Sequence, residues 1–234
     1  CVVDDPRAAS GRVTTWGTWS DPQDLMEPGR LLGRQAAAER AATNAAPDPA
    51  PDAGADEARG TDPELLLVCA HGRHDVCCAT RGRPVAAALQ ERWPQATWEC
   101  SHTGGDRFAA NLIVLPDGAC YGGLDPSTAC EVVQRHHDGA PDTAYLRGHT
   151  GWSRPAQAAL LAAHREMPTV AWGAFVLEGV QSTGTQHLVD LSSGATRLTV
   201  PVTEHVRTAE RITCATTALG RVMVPVPGQV RVRS

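Results

Sequence analysis

Two short segments of this chain concentrate side chains that could bind a metal. The first reads Cys-Ala-His-Gly-Arg-His-Asp-Val-Cys-Cys over Cys69–Cys78, and the second reads Cys-Ser-His-Thr-Gly-Gly-Asp-Arg-Phe over Cys100–Phe108. Thiols, imidazoles and carboxylates are the usual metal ligands of proteins. A fold seldom needs so many of them in so little chain, so this concentration favours a metal site, of iron–sulfur type.

The spacing within the two segments suits a group that is bound by four side chains. Cys69 and Cys78 are nine positions apart across a glycine-bearing loop, which can fold back and direct both sulfurs to one point. His102 and Asp106 follow in a second loop, where two intervening glycines let the backbone turn tightly. Two ligands from each segment could enclose a cluster with four terminal ligands. The spacing matches no paired Cys-x-x-Cys zinc pattern, although a zinc-stabilised binding module with these four ligands stays open.

Strands and helices must position the two segments. A short apolar run predicts a buried strand over 64–69, and a loop over 70–83 follows it. The pattern then predicts a helix over 84–92, a strand over 97–100, a hairpin over 112–122, and helices over 126–137 and 154–167. Strands over 170–180, 185–191, 196–203 and 211–218 complete the series. This order predicts an α/β (α+β) fold with a β-rich C-terminal segment.

Composition divides the chain into three parts. Residues 1–63 are predicted to form an N-terminal arm and an Ala/Pro/Asp-rich linker, with a candidate helix at 35–44 and a flexible stretch at 46–60. Trp16 and Trp19 of the arm are expected to pack on the main domain. Residues 64–167 are predicted to form that domain, and residues 168–234 a β-rich segment packed on it.

Charge and hydropathy exclude several classes of protein. The net charge of −5 argues against a nucleic-acid-binding protein, which needs clustered positive charge. The sequence has no apolar run of 18 residues and no visible signal peptide, so no membrane association is predicted. Eight cysteines without a secretion signal predict a reducing, cytoplasmic location. A homodimer is compatible with the sequence.

Several motifs in one order resemble the sucrase/ferredoxin-like family over residues 64–166. They are Val68–Ala79, Gly82–Pro84, Trp98–Ala109, Asn111, Leu115–Gly118, Tyr121–Gly122, Leu146–Gly148 and Gln157–Ala159. Despite the family's label, the resemblance implies electron transfer and not sugar cleavage. It implies a thioredoxin-like domain that holds a [2Fe–2S] cluster, here with an added C-terminal β-rich segment. Such a carrier needs a protein redox partner, a reductase or an oxidase.

The resemblance also implies a set of ligands. The two cysteines of the family motif fall on Cys69 and Cys78, and the first of its two histidines falls on His102. The second histidine position holds Asp106 in this chain. Either Asp106 ligates through a carboxylate oxygen, or another side chain replaces it, or the site is open or has lost its cluster. Because imidazole is neutral and thiolate is anionic, a histidine ligand raises the reduction potential, and a carboxylate would lower it again.

Four further residues are assigned to the surroundings of the cluster. His71 and Cys100 are the alternatives for the fourth ligand. Otherwise His71 is expected in solvent or donating hydrogen bonds to the cluster, and Cys100 is expected to be a buried strand residue. Cys77 is expected to be a packed thiol or a hydrogen-bond donor beside the cluster. Arg107 is expected either to offset the charge of the cluster or to form a surface salt bridge.

The remaining thiols leave one competing enzyme hypothesis. A thiol-disulfide or peroxide reductase on the same fold would use Cys77 and Cys78, or Cys69, as reactive thiols. Three other cysteines have no partner at a useful spacing and are expected to be structural: Cys120, Cys130 and Cys214.

Overall fold

The computed structural model describes residues 2–4, 14–16, 64–73, 75–214 and 217–233. Contacts divide the chain into two compact units, Cys1–Glu64 and Leu65–Ser234. In the first unit, strands β1 (Val2–Asp4) and β2 (Thr14–Trp16) pair antiparallel. The predicted helix at 35–44, the stretch at 46–60 and the packing of the two tryptophan side chains lie outside the described residues. The predicted domain boundaries at 63 and 167 stay predictions.

Five strands of the second unit form a mixed sheet. They are β3 (Leu65–Cys69), β4 (Thr97–Cys100), β5 (Asn111–Leu115), β6 (Ala119–Gly122) and β7 (Leu146–His149). The order across the sheet is β4-β3-β5-β6-β7, with β3 and β4 parallel and the other pairs antiparallel. Helix α1 (Val76–Arg92) makes the crossover that parallel strands require. This arrangement confirms the predicted thioredoxin-like α/β (α+β) fold.

Helix α1 begins earlier than the sequence pattern predicted. The segment 70–83 was expected to be a loop, but α1 begins at Val76, so both Cys77 and Cys78 lie in its first turn. Glycine and proline favoured the loop interpretation, yet Gly82 and Pro84 both lie inside the helix. A Cβ atom at Gly82 would lie 2.1 Å from the carbonyl oxygen of Cys69. Glycine is therefore needed here because α1 packs directly on the end of β3.

Apolar side chains fill the space between this sheet and its helices. Helix α2 (Pro126–His137) follows β6 and packs against α1. The buried cluster includes Leu66, Val68, Val85, Leu89, Leu112, Val114, Val132 and Val133. The sheet, the second half of α1 and α2 thus share one core, while Cys77 and Cys78 at the start of α1 pack with Cys69 and Ala109 in a smaller buried cluster.

The C-terminal part forms a second, antiparallel sheet. Its strands are β8 (Val176–Thr183), β9 (Gln186–Ser193), β10 (Thr196–Glu210), β11 (Gly220–Pro227) and β12 (Arg231–Arg233), in the order β11-β10-β9-β8 with β12 also on β10. Helix α3 (Arg154–Glu166) contacts β7 of the first sheet and β9, β10 and β11 of the second. The strand predicted over 211–218 was wrong, because residues 211–214 follow β10 as irregular chain. None of the described helices is long and apolar enough to cross a membrane.

Candidate metal centre

Three predicted ligands converge at one edge of the first sheet. The ligand atoms of Cys69, Cys78 and His102 all lie within 4.8 Å of one another. Cys69 and Cys78 are buried, and His102 is half-buried. These three residues belong to the four predicted ligands. Cys69 and His102 are 33 positions apart in the sequence, so the fold and not local spacing brings them together.

The strand order explains why these three residues meet. Cys69 and Cys100 end the parallel strands β3 and β4 in register, so both strands stop at the same edge of the sheet. The amide of Ala70 continues the pairing by donating to the carbonyl oxygen of Cys100, 3.3 Å away. His102 lies two residues beyond β4, and α1 brings Cys78 to the same edge. The end of a parallel pair and the start of a helix together form the site.

Asp106 lies beside this group and contacts two of its members. Its Oδ1 atom is 3.0 Å from Nδ1 of His102 and accepts a hydrogen bond from the Cys78 thiol at 3.4 Å. The residue is buried and begins a short 3-10 helix, Asp106–Phe108. Asp106 is therefore positioned either to ligate a metal or to hold the imidazole of His102 in a fixed orientation.

The glycine turn before Asp106 is held by an asparagine to which the sequence analysis assigned no role. Gly104 and Gly105 have φ of +84° and +73°, a region that favours glycine. The Nδ2 atom of buried Asn111 donates to both of their carbonyl oxygens, at 3.3 and 3.0 Å. The available signals were its place among the family motifs and an amide side chain at the start of an otherwise apolar strand.

Burial keeps the thiols of Cys78 and Cys100 protonated when no cation is bound. Burial, the hydrogen bond to Asp106 and the charge of nearby Cys69 raise the pKa of Cys78 well above its usual value. Burial and the neighbouring Cys69 also raise the pKa of Cys100, to about 11. A bound metal would reverse this, because a cation stabilises the thiolate form of its ligands.

Three residues assigned to the cluster's surroundings lie outside the group of converging ligands. Among the described residues, His71 and Cys100 belong to no group of three converging ligands. Cys100 is only half-buried and sits beside Cys69 across the β3–β4 pair. The guanidinium of Arg107 is exposed and stacks on the ring of Phe108, 4.5 Å from its centroid.

Cys77 points into a second group, which the sequence analysis missed. Its ligand atom lies within 4.8 Å of those of Asp75 and Cys214. The expectation that Cys214 lacks partners was therefore wrong, because folding brings it next to Cys77 across 137 positions. Cys120 and Cys130 agree better with a structural role, since their thiols donate only to nearby backbone carbonyl oxygens.

The fold and the site thus define a thioredoxin-like protein with a cysteine–histidine site at the edge of its sheet. The sucrase/ferredoxin-like family model matches residues 20–148, which is more than half of the chain. The chain belongs to the sucrase/ferredoxin-like family. No curated protein matches the sequence significantly.

Solved structures similar to the chain include a thioredoxin-like [2Fe–2S] ferredoxin from Aquifex aeolicus. It is 20% identical, with a TM-score of 0.34, over 38% of this chain and 97% of the ferredoxin. A cysteine-to-serine variant of that ferredoxin is 23% identical, with a TM-score of 0.32, over 36% of this chain and 96% of the variant.

Proposed function

We propose that this protein is an electron carrier that binds a [2Fe–2S] cluster through Cys69, Cys78, His102 and Asp106. The observation that carries the proposal is the convergence of the first three ligand atoms within 4.8 Å. Membership of the sucrase/ferredoxin-like family supports it.

The donor set fits an iron–sulfur cluster. Thiolate sulfur and imidazole nitrogen are the two protein ligands found on [2Fe–2S] clusters. The two thiols are buried, and each would lose its proton on binding iron. The positive charge of the iron would compensate the negative charge of each thiolate. When bound, such a cluster accepts and donates one electron at a time.

The chain's own residues would set the properties of that electron transfer. The contact between Asp106 and His102 fixes the orientation of the imidazole, and it adds a negative charge at the site. That charge stabilises the oxidised state, so the reduction potential would lie below that of a relative with two histidine ligands. The glycine turn held by Asn111 keeps His102 and Asp106 on one side of the site.

The competing thiol reductase is disfavoured by the state of its thiols. A reactive cysteine needs a lowered pKa, so that the thiolate is present at neutral pH. Burial instead raises the pKa of Cys77 to about 12, and the hydrogen bonds that join its thiol to Cys214 and to the accepting carboxylate of Asp75 add to the effect. The pKa of Cys78 is raised as well. Both thiols lie in the first turn of α1, whose N-terminus favours a thiolate, but burial and the neighbouring carboxylates of Asp75 and Asp106 outweigh that effect.

Anaerobic purification with iron and acid-labile sulfide analysis and a visible spectrum tests the proposal. We expect a brown protein with about two iron and two sulfide ions per chain and a paramagnetic signal on reduction. Zinc without sulfide at Cys69, Cys78 and His102 would replace the proposal with the zinc-stabilised module. A colourless, metal-free protein with thiol-dependent turnover would replace it with the reductase.

The proposed function also includes a redox partner and a cellular location. The carrier would exchange electrons with a reductase or oxidase in the cytoplasm, and its net charge of −5 suits docking on a basic surface. We propose no nucleic-acid or membrane partner, and a homodimer stays compatible with the chain.

A further inference from the structure

A second group of three potential metal ligands lies at the start of α1. It consists of Asp75, Cys77 and Cys214, whose ligand atoms all lie within 4.8 Å of one another. Asp75 and Cys77 are buried, whereas Cys214 is exposed. Asp75 directly precedes α1, Cys77 lies in its first turn, and Cys214 lies four residues beyond the end of β10.

Asp75 is turned toward Cys214 and not toward the helix that it precedes. It occupies the N-cap position of α1, where an aspartate usually accepts hydrogen bonds from the first turn, but its side chain makes no capping hydrogen bond. Its carboxylate instead accepts the backbone N–H of Cys214 at 2.6 Å and contacts the Cys214 thiol. The amide of Cys77 donates to Sγ of Cys214 at 3.1 Å.

This group shares no ligand with the proposed cluster site. Cys77 and Cys78 are consecutive in a helix, so their side chains leave it in directions about 100° apart. Asp106 lies between the two sites: its backbone carbonyl oxygen accepts from the Cys77 thiol and its carboxylate from the Cys78 thiol, both at 3.4 Å. The adjacent cysteines thus each serve a different group.

The chemistry of the group calls for a cation. A carboxylate and two thiols converge, and each carries negative charge when deprotonated. Asp75 and Cys77 are buried, so a negative charge on either of them would lack the screening that water gives. A divalent ion would neutralise the carboxylate and stabilise both thiolates at once.

We propose that Asp75, Cys77 and Cys214 bind one zinc ion. Two thiolate sulfurs and a carboxylate oxygen are established zinc ligands, and zinc takes four, which leaves one position for water or another donor. Bound zinc would fasten the irregular chain after β10 to the start of α1, next to the proposed cluster. It would thereby hold in place the helix that carries Cys78.

The test is metal analysis of the full chain, purified anaerobically with zinc sulfate and then desalted. We expect about one zinc per chain in addition to any iron, and zinc affinity at least about ten-fold weaker in Cys214→Ser. Cys214 is exposed, so this substitution leaves the core intact. Asp75→Asn is the second variant, and it should weaken zinc binding without removing a thiol. Cys120→Ser is the matched control and should keep the zinc.

Three outcomes would overturn this proposal. One is wild-type protein that retains no zinc after desalting. Another is a Cys77–Cys214 disulfide, found by mass spectrometry in protein kept anaerobic. The third is zinc that persists in Cys214→Ser and disappears in Cys69→Ser, which would place the ion at the other site. Because iron and zinc are quantified separately, loss of the zinc proposal and loss of the electron-carrier proposal give different results.

Discussion

Oδ1 of Asp106 lies 3.0 Å from Nδ1 of His102. The same oxygen accepts a hydrogen bond from the Cys78 thiol, so one carboxylate touches a member of each segment that forms the site. The arrangement differs from a pair of histidines in one decisive property, which is charge. A neutral imidazole at position 106 would remove one negative charge from the site.

The first prediction concerns the reduction potential. Asp106→His should raise the potential of the cluster by on the order of 100 mV, because exchange of charged for neutral ligands raises iron–sulfur potentials by several hundred millivolts in total. Redox titration monitored by visible absorbance measures the change. Asp117→Asn, which removes a carboxylate that contacts His136, is the control and should leave the potential unchanged. A potential equal to or below wild type in Asp106→His would contradict the assignment.

The second prediction separates ligand thiols from other thiols. Cys69→Ser and Cys78→Ser should each lose most of the bound iron and sulfide, because a hydroxyl is a poor replacement for a thiolate ligand. Cys130→Ser should keep both, since this thiol donates to the carbonyl oxygen of Ala88 and packs against the apolar core rather than in the site. Iron and sulfide analysis on the three variants provides the comparison. Full iron in Cys69→Ser would remove this residue from the site.

The third prediction tests the contact between α1 and β3. Gly82→Ala places a methyl group 2.1 Å from the Cys69 carbonyl oxygen, so the helix must shift. Overpacking of this kind costs about 1–3 kcal/mol or more. Urea denaturation should show that loss, together with lower iron content because Cys78 moves with the helix. Gly179→Ala is the control, since nothing lies within 4 Å of its Cβ position, and unchanged stability in both variants would disprove the close approach.

The fourth prediction concerns pH. His164 is buried between Trp172 and Phe175, with ring centroids 5.6 and 4.9 Å away, and burial lowers its pKa to about 4. The unfolded chain takes up this proton near pH 6.5 and the folded chain does not, so stability falls as the pH drops from 6.5 toward 4. From pH 7 to pH 5 this histidine should cost about 2 kcal/mol of unfolding free energy.

Urea denaturation at the two pH values, on wild type and His164→Phe, measures that contribution. The variant should lose about 2 kcal/mol less than wild type between pH 7 and pH 5. His205→Gln removes an exposed histidine and should behave like wild type. An equal pH dependence in wild type and His164→Phe would show that His164 titrates normally.

Much of the first sheet could be predicted from local pattern. The apolar run before Cys69, the Asp-Gly turn of the hairpin and the periodicity over 126–137 each signal one element without help from distant residues. The start of α1 could not be predicted in the same way. Gly82 and Pro84 resemble loop residues, and the reason for the glycine is a contact with Cys69 that exists only in the folded chain.

The candidate site shows the same division. His102 and Asp106 are four positions apart, so their proximity was predictable from the glycine turn between them. Cys214 was assigned no partner, because its neighbours Asp75 and Cys77 are more than a hundred positions away. A single sequence contains no signal for such a contact, because it depends on tertiary packing, including the contacts of α3 with both sheets.

Pulsed electron paramagnetic resonance of the reduced protein tests the central claim most directly. If Cys69, Cys78 and His102 hold the cluster, the reduced iron should show hyperfine coupling to one imidazole nitrogen. That coupling should vanish in His102→Ser and persist in His71→Ala. A reduced iron signal with no nitrogen coupling in wild type, or one whose coupling survives in His102→Ser, would contradict the account.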